Sequence, residues 1–148
     1  MKKILFVCTG NTCRSPMAEV IFNKICEERD LPYRSESAGT CTVSGIPMAL
    51  NSQIVLKERG YETEEFTSTD ISELNLGEYH LFAVMTTDHA ESLVSFGVPP
   101  QKVYIMAYDK GGISDPYGMS EGVYRRCRNE ITKETEKLID FLEEKYGD

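Results

Sequence analysis

The most informative segment of the 148-residue chain is Ile4-Leu5-Phe6-Val7-Cys8-Thr9-Gly10-Asn11-Thr12-Cys13-Arg14-Ser15-Pro16. Its four leading apolar residues predict a buried strand, and the glycine and asparagine after them tolerate the positive φ that a tight loop requires. Pro16 suits the first position of a helix, where its missing N–H has no consequence, so we expect a helix from Met17 to about Arg29. The apolar side of that helix would be formed by Val20, Ile21, Ile25 and Cys26.

The loop in this segment combines residue types that can bind a phosphoryl group and transfer it to sulfur. Backbone N–H groups of a short curled loop can form an anion nest, and Arg14 offers a planar fork that holds two phosphate oxygens. The same positive groups would stabilise a Cys8 thiolate, the reactive form of the side chain. A free cysteine is more often a small buried hydrophobic residue. Because that alternative leaves Asn11, Thr12 and Ser15 unexplained, the catalytic interpretation is favoured.

Composition and charge narrow the class of protein. With 41% hydrophobic residues the chain can bury a core of ordinary size, and we expect residues 1–148 to form a single domain. A net charge of −8 argues against nucleic acid or an anionic membrane as the partner. The apolar run that follows Met1-Lys2-Lys3 is too short for a secretory or membrane segment. We therefore expect a cytoplasmic protein, and a monomer.

The cysteines and histidines do not have the spacing of a metal site. There is no Cys-x-x-Cys, and His80 and His89 are the only histidines, so we expect no metal and no cofactor. A Walker nucleotide loop is excluded, because no Gly-Lys-Ser/Thr follows the glycine. Cys13 could form a reversible disulfide with Cys8 on oxidation or serve as a packing thiol. The odd number and irregular spacing of the cysteines favour reduced thiols; they are Cys8, Cys13, Cys26, Cys41 and Cys127.

Strand and helix patterns alternate through the rest of the chain. Further strands are predicted at Tyr33–Ser37, Leu81–Met85 and Val103–Met106, with Ser37-Ala38-Gly39-Thr40 as a loop. Helices are predicted from Pro47 to Gly60, at Ile71–Leu74 with Asp70 and Glu73 as a capping pair, from a Thr87 cap to Gly97, and from about Glu121. This order predicts an α/β fold with a doubly wound, four-stranded parallel sheet, helices on both faces, and the flavodoxin-like order 2-1-3-4.

A late loop, Asp115-Pro116-Tyr117-Gly118, supplies the second half of a possible site. It follows the last predicted strand and therefore emerges at the same edge of the sheet as the cysteine loop. Phosphoryl transfer to sulfur needs an acid for the leaving atom, and breakdown of a phosphocysteine needs a base; the one carboxyl group of Asp115 can do both. Tyr117 could form a wall for the substrate. An isolated Asp-Pro pair is usually only a turn, so this interpretation depends on the cysteine loop.

With these segments the whole chain resembles the low-molecular-weight protein-tyrosine phosphatases. The resemblance is carried by residues 8–16, by Ser37-Ala38-Gly39-Thr40 and by Asp115-Pro116-Tyr117. It implies Cys8 as nucleophile, Arg14 as phosphate binder, Asp115 as general acid and then base, and phosphorylated proteins or peptides as substrates, with inorganic phosphate as product. It further implies that Ser15 donates a hydrogen bond to the thiolate. The residues implied to bind substrate or to support the loop are Thr9, Gly10, Asn11, Thr12, Cys13, Ser15, Tyr117 and Ser37.

Three positions depart from the tyrosine phosphatases. Thr12 stands where they carry a bulky aliphatic residue, and Gly118 stands where they often have a second aromatic residue. Family members that act on phosphoarginine resemble this chain at both positions, so we expect a modest preference for phosphoarginine over phosphotyrosine. The Thr12 hydroxyl would meet the polar guanidinium or simply stabilise the loop. Glu65 occupies the position of a histidine that often belongs to the network bracing the loop.

Two other functions are compatible with a phosphate-binding loop. A thiol-dependent arsenate reductase would need two further cysteines around residues 80–97, and this chain has none there. A non-catalytic phosphate-binding module would keep Arg14 but would need neither Cys8 nor Asp115. Turnover of a phenyl phosphate ester separates such a module from a phosphatase.

Overall fold

Four parallel strands form the central sheet in the computed structural model, which describes residues 1–147. The strands are β1 (Lys2–Cys8), β2 (Tyr33–Gly39), β3 (Leu81–Val84) and β4 (Val103–Ile105), in the order β2-β1-β3-β4. The helices are α1 (Arg14–Glu28), α2 (Leu50–Lys57), α3 (Thr87–Ser95) and α4 (Glu121–Tyr146), with short 3₁₀ turns at Ile71–Glu73, Leu76–Glu78, Pro100–Lys102 and Tyr108–Lys110. The predicted α/β class and strand order are confirmed.

Both faces of the sheet are covered, as the unbroken apolar run in β1 predicts. Ile4 and Phe6 face one side and pack in the core built from α1, α2 and α4, whereas Leu5 and Val7 face the other side with Leu93 of α3. All four of these β1 side chains are fully buried. Burial on both faces is typical of parallel sheets whose crossover helices lie on either side.

Helix α1 and strand β2, which both adjoin the cysteine loop, differ from their predicted bounds. Helix α1 begins at Arg14, so Pro16 is its third residue rather than its first. The first four residues of a helix have no intrahelical acceptor for their N–H groups, so the N–H that proline lacks is not missed at this position and the proline remains compatible with the helix. Strand β2 continues to Gly39, because Ser37, Ala38 and Gly39 pair in register with the end of β1, so the predicted loop there is wrong.

The second helix and two caps also differ from prediction. Helix α2 begins at Leu50 rather than Pro47, because Pro47 forms an antiparallel bridge with Thr67; Leu50 itself is exposed. The cap of α3 is Thr86, not Thr87, since the Thr86 hydroxyl accepts from the backbone N–H of His89. Asp70 does cap the Ile71–Glu73 turn, but it accepts from the N–H of Ser72, and Glu73 instead contacts the Ser44 hydroxyl.

Helix α4 is fixed to α2 by a buried arginine. Arg128 is only 3% exposed, and its Nη1 donates to the Val55 carbonyl at 2.8 Å and to Glu58 Oε1 at 2.8 Å. Its Nε and Nη2 both donate to Asn129 Oδ1. Hydrogen bonds from Arg125 and then from Arg128 lower the pKa of Glu58 to about 2. This clamp was not predicted, because it pairs residues from helices far apart in the sequence.

Candidate active site

The predicted site residues meet in a small cavity at the carboxyl edge of the sheet. The cavity has a volume of about 210 Å³, and the cysteine loop and the aspartate loop face each other across it. Ser15 and Ser37 are the two predicted site residues that do not line it; both are buried against the loop. The lining residues are Cys8, Thr9, Gly10, Asn11, Thr12, Cys13, Arg14, Asp115 and Tyr117.

The shape of the cysteine loop is set by the end of β2. The carbonyl of Cys8 accepts from the N–H of Thr40 at 3.0 Å, and the carbonyl of Thr9 accepts from the N–H of Cys41 at 3.0 Å. The loop passes so close to β2 that a Cβ on Gly39 would lie 2.6 Å from the Thr9 carbonyl oxygen. Asn11 has a φ of 56°, as the sequence predicts for a tight turn.

A buried hydrogen-bond network supports the sulfur of Cys8. The Ser15 hydroxyl lies 2.8 Å from Cys8 Sγ, and Asn11 Nδ2 donates to Ser15 Oγ at 2.8 Å and to Ser37 Oγ at 2.9 Å. The orientation of the Asn11 amide follows from the N–H of Thr69, which donates to Asn11 Oδ1 at 2.8 Å. Because Ser15 accepts from Asn11, its single proton is available for Cys8, an arrangement that favours a thiolate.

One acidic residue belongs to this network and another does not. Glu65, which stands at the position of the family's histidine, is exposed and makes no hydrogen bond within residues 1–147, so it does not brace the loop. Glu19 of α1 joins the network instead, since Ser37 Oγ donates to Glu19 Oε1 at 2.6 Å. Burial raises the pKa of Glu19 to about 7. The sequence gives no sign of this pairing, which depends on how α1 packs against β2.

Arg14 is buried at the base of the cavity and has few protein partners. It is 5% exposed, and its Nη1 donates to the Ile113 carbonyl at 2.9 Å. Its Nη2 lies 3.6 Å from Asp115 Oδ2, too long for a good hydrogen bond. Within residues 1–147 the contact with Ile113 is the one hydrogen bond of this guanidinium. The rest of the fork therefore faces the cavity and can bind an anion.

The aspartate loop is held by the end of β3. The N–H of Ile113 donates to the Met85 carbonyl at 2.8 Å, and Gly112 has a φ of 97° at a point where a Cβ would lie 2.6 Å from that carbonyl oxygen. The Asp115 side chain is half exposed, and its Oδ1 accepts from the N–H of Tyr117. Tyr117 is 72% exposed and forms the outer wall of the cavity.

His89 reaches the loop from α3, a contact that the sequence did not indicate. Its Nε2 lies 2.9 Å from Thr9 Oγ1, and its Nδ1 lies 3.0 Å from Thr86 Oγ1. Burial, reinforced by the nearby charge of Arg14, lowers the pKa of His89 to about 4. The imidazole is therefore neutral at pH 7 and links the loop to the N-terminus of α3.

Cys13 is a second buried free thiol of the loop and lines the same cavity as Cys8. Its Sγ is 3.3 Å from the Tyr124 hydroxyl, and burial raises the pKa of the Cys13 thiol. Thr12, which lies between Cys8 and Cys13 in the sequence, is half buried, and its carbonyl accepts from the N–H of Ala49 at 3.0 Å.

Residues 3–147 match the family model described as low molecular weight phosphotyrosine protein phosphatase. The chain belongs to this family. The family resemblance inferred from the sequence is thus confirmed, and the protein is a cysteine-dependent phosphatase. Within residues 1–147, no helix has the length and apolar character needed to cross a membrane.

Individual relatives carry two different substrate names. A protein-arginine-phosphatase of Geobacillus stearothermophilus is 37% identical over 149 residues, covering 97% of this chain and 95% of that protein. The crystal structure of a low molecular weight protein tyrosine phosphatase from T. tengcongensis superimposes with a TM-score of 0.90 at 35% identity, over 96% of this chain and 100% of that one. A cysteine-to-serine mutant of the arginine phosphatase YwlE with a phosphorylated active-site serine has a TM-score of 0.88 at 30% identity, over 95% of both chains.

Proposed function

We propose that the protein hydrolyses phosphorylated side chains of proteins through a phosphocysteine on Cys8, with phosphoarginine modestly preferred over phosphotyrosine. The observation that carries the proposal is the position of Cys8 Sγ, 2.8 Å from the Ser15 hydroxyl in a cavity lined by both Arg14 and Asp115. A binding module would need neither the hydrogen-bonded sulfur nor the opposing carboxyl group.

The first step transfers the phosphoryl group to sulfur. Loop N–H groups and the Arg14 fork bind the phosphoryl oxygens, which places phosphorus next to the Cys8 thiolate. The S–P bond forms as the bond from phosphorus to the substrate oxygen or nitrogen breaks. Asp115, as the acid, gives its proton to the leaving atom.

The second step releases phosphate. The Asp115 carboxylate takes a proton from water, the water oxygen attacks phosphorus, and the S–P bond breaks to regenerate the Cys8 thiolate. Support comes from the YwlE mutant, in which the serine that replaces the active-site cysteine carries a phosphoryl group. A side chain at that position can therefore accept the group in a relative of the same fold.

The preference for phosphoarginine rests on Thr12, Tyr117 and Gly118 and on one relative. Thr12 presents a small polar side chain beside the nucleophile, which suits a polar P–N centre and leaves room for a guanidinium. Tyr117 can stack on that planar cation, and Gly118 leaves open the place of a second aromatic wall. The protein-arginine-phosphatase of Geobacillus stearothermophilus supports the same choice. The relative from T. tengcongensis, named a tyrosine phosphatase, keeps phosphotyrosine as the second candidate.

The proposal is tested by comparing kcat/KM for phosphoarginine and phosphotyrosine peptides of the same sequence. The parent protein should prefer phosphoarginine, and Thr12→Ile should shift the ratio of the two kcat/KM values toward phosphotyrosine. Cys8→Ser should abolish turnover of both peptides while phosphate binding persists. A parent preference for phosphotyrosine, or an unchanged ratio in Thr12→Ile, would replace phosphoarginine by phosphotyrosine as the substrate. Substantial turnover by Cys8→Ser would refute the phosphocysteine itself.

A further inference from the structure

A continuous chain of hydrogen bonds joins the Glu19 carboxyl group to the sulfur of Cys8. Glu19 Oε1 accepts from Ser37 Oγ at 2.6 Å, and Ser37 Oγ accepts from Asn11 Nδ2 at 2.9 Å. Asn11 Nδ2 also donates to Ser15 Oγ at 2.8 Å, and Ser15 Oγ lies 2.8 Å from Cys8 Sγ. The Glu19 carboxyl group is thus the end of the chain opposite to the sulfur.

The direction of each hydrogen bond follows from counting protons. Asn11 Oδ1 already accepts from the N–H of Thr69, so both protons on Asn11 Nδ2 are free for the two serines. Each serine hydroxyl has one proton to donate. Ser15 therefore donates to Cys8, and Ser37 donates to Glu19. The Asn11 amide donates to both serines, so a movement of Ser37 also moves the amide group that orients Ser15.

Because the serines of this hydrogen-bond chain are buried, the Ser37 hydroxyl depends on Glu19 as its acceptor. Ser37 is 5% exposed and Ser15 is fully buried, so water does not readily replace a lost acceptor. A buried hydroxyl proton without an acceptor is unfavourable, and Ser37 would rotate to find another one. Asn11 would then lose the partner that fixes one of its two N–H groups. The Glu19 backbone is itself held to β2, because its carbonyl accepts from Ser35 Oγ at 3.3 Å.

We propose that Glu19 is a positioning residue for the nucleophile, acting through Ser37 and Asn11 on the Ser15 hydroxyl that donates to Cys8. Glu19 does not touch the cavity, which is lined by other residues. The proposal rests on the role of Cys8 given above. What Glu19 contributes is an acceptor oxygen in a fixed place rather than a negative charge near the sulfur.

The protonation of Glu19 indicates the matched control. Burial raises its pKa to about 7, while the hydrogen bond from Ser37 opposes the rise; of the charged neighbours, Glu36 raises the pKa and Arg34 lowers it. The ionised and the protonated carboxyl group both keep an oxygen that can accept from Ser37. Gln copies the uncharged acceptor, whereas Met has a similar length and only a weak acceptor. Glu19→Gln should therefore retain the chain and Glu19→Met should break it.

The test measures the rate at which iodoacetamide alkylates Cys8 as a function of pH. Because Cys41 is exposed, all variants carry Cys41→Ser, and mass spectrometry of the Cys8 peptide follows the reaction. Glu19→Met should move the midpoint of the profile upward by about one pH unit, because a weakened hydrogen bond disfavours the thiolate. Glu19→Gln should stay close to the parent. A role through charge alone predicts the opposite sign, since loss of a nearby negative charge favours the thiolate and would move both midpoints downward.

A double-mutant cycle shows whether Glu19 acts through Ser37. Ser37→Ala alone should raise the midpoint by a similar amount, and Glu19→Met in that background should add nothing. If Glu19→Met does not fold, Ser37→Ala still decides, because an unchanged midpoint there overturns the proposal. Additive shifts, a downward shift in Glu19→Met, or a loss of thermal stability without any shift would also overturn it. Alkylation reports on Cys8 without substrate, so failure of the phosphocysteine mechanism would appear separately, as turnover by Cys8→Ser.

Discussion

Two arginines are buried in this molecule, and their surroundings are opposite. Arg128, 3% exposed, donates to the Val55 carbonyl, to Glu58 and to Asn129. Arg14 is 5% exposed, yet it has one carbonyl partner and a carboxylate 3.6 Å away. The two guanidinium groups are therefore about equally buried, but Arg128 has a nearly complete set of acceptors and Arg14 has an incomplete one.

This difference distinguishes an arginine that stabilises the fold from an arginine that binds a ligand. Desolvation of a guanidinium is unfavourable unless acceptors replace water, and the clamp between α2 and α4 supplies them from the protein. At the cavity the protein leaves most of the fork unpaired, so an incoming phosphoryl group supplies the missing acceptors. The clamp should therefore matter for stability and Arg14 for catalysis.

The largest expected effect is the loss of activity in Arg14→Met. We expect kcat/KM for phosphopeptides to fall by about 10³ to 10⁵-fold, since an arginine that stabilises a transferring phosphoryl group contributes that much in other phosphoryl-transfer enzymes. Thermal stability should not fall, because a poorly paired buried charge is replaced by an apolar side chain. Steady-state kinetics and a melting curve on one preparation test both statements. A variant that melts well below the parent would place Arg14 with Arg128 as a structural residue.

Asp115→Asn comes next and shows whether Asp115 is more than a counter-ion for Arg14. As a general acid, Asp115 should contribute about 10² to 10⁴-fold to turnover of substrates with poor leaving groups. The loss should shrink for an aryl phosphate whose leaving group needs no proton. Rates for a series of aryl phosphates of different leaving-group acidity provide the measurement. An equal loss across the series would indicate that the carboxylate only orients the guanidinium.

Arg128→Met should show the reverse of Arg14→Met. Its removal leaves the Val55 carbonyl and Glu58 without their buried donor, so we expect the free energy of unfolding to fall by about 3 kcal/mol. Activity per folded molecule should stay within about threefold of the parent, a change smaller than one catalytic interaction provides. Denaturant unfolding combined with active-site titration distinguishes the two quantities. A large fall in kcat without a change in stability would contradict the assignment.

The smallest effect concerns two carboxyl groups, one paired with arginine and one not. The pKa of Glu58 is lowered to about 2, so its contribution to stability is present above pH 4.5 and is lost as the pH falls toward 2. The pKa of Glu19 is raised to about 7, so its contribution is present below pH 4.5 and is lost as the pH rises through 7. Glu19→Gln should therefore be about 3 kcal/mol more stable than the parent at pH 8 and no more stable at pH 4.5. Urea unfolding at both pH values measures this; a constant difference would refute it.

Local patterns predicted most of the fold, because β1, β3 and β4 are short apolar runs and most of the loops contain glycine or proline. They failed where distant segments decide the backbone. Leu50 fits an apolar stripe, but the bridge between Pro47 and Thr67 delays the helix and leaves Leu50 exposed. Ser37-Ala38-Gly39 has weak strand propensity and becomes strand through pairing with β1.

The residues of the site likewise fall into those that the sequence predicted and those that only the packing revealed. Cys8, Arg14 and Asp115 could be found from the sequence because their chemistry is visible in residue type and spacing, and the structure brings them to one cavity. Glu19 and His89 could not, since a glutamate in a helix and a histidine near a helix start are ordinary surface residues until packing buries them. Glu65 stands at the position of the family's bracing histidine, but it is exposed and takes no part in the network.

The close approach of Gly39 to the cysteine loop has a consequence for inhibition. Because the Cys8 and Thr9 carbonyls accept from the N–H groups of Thr40 and Cys41, just after β2, the start of the cysteine loop takes its shape when the chain folds. A binding loop whose shape is fixed before the ligand arrives selects by the geometry of the oxyanion and discriminates little by the group attached to that oxyanion. Free phosphate, the product, should therefore compete with substrate for the same loop. Vanadate can become five-coordinate, as phosphorus does in the transition state of transfer, and should compete more strongly still.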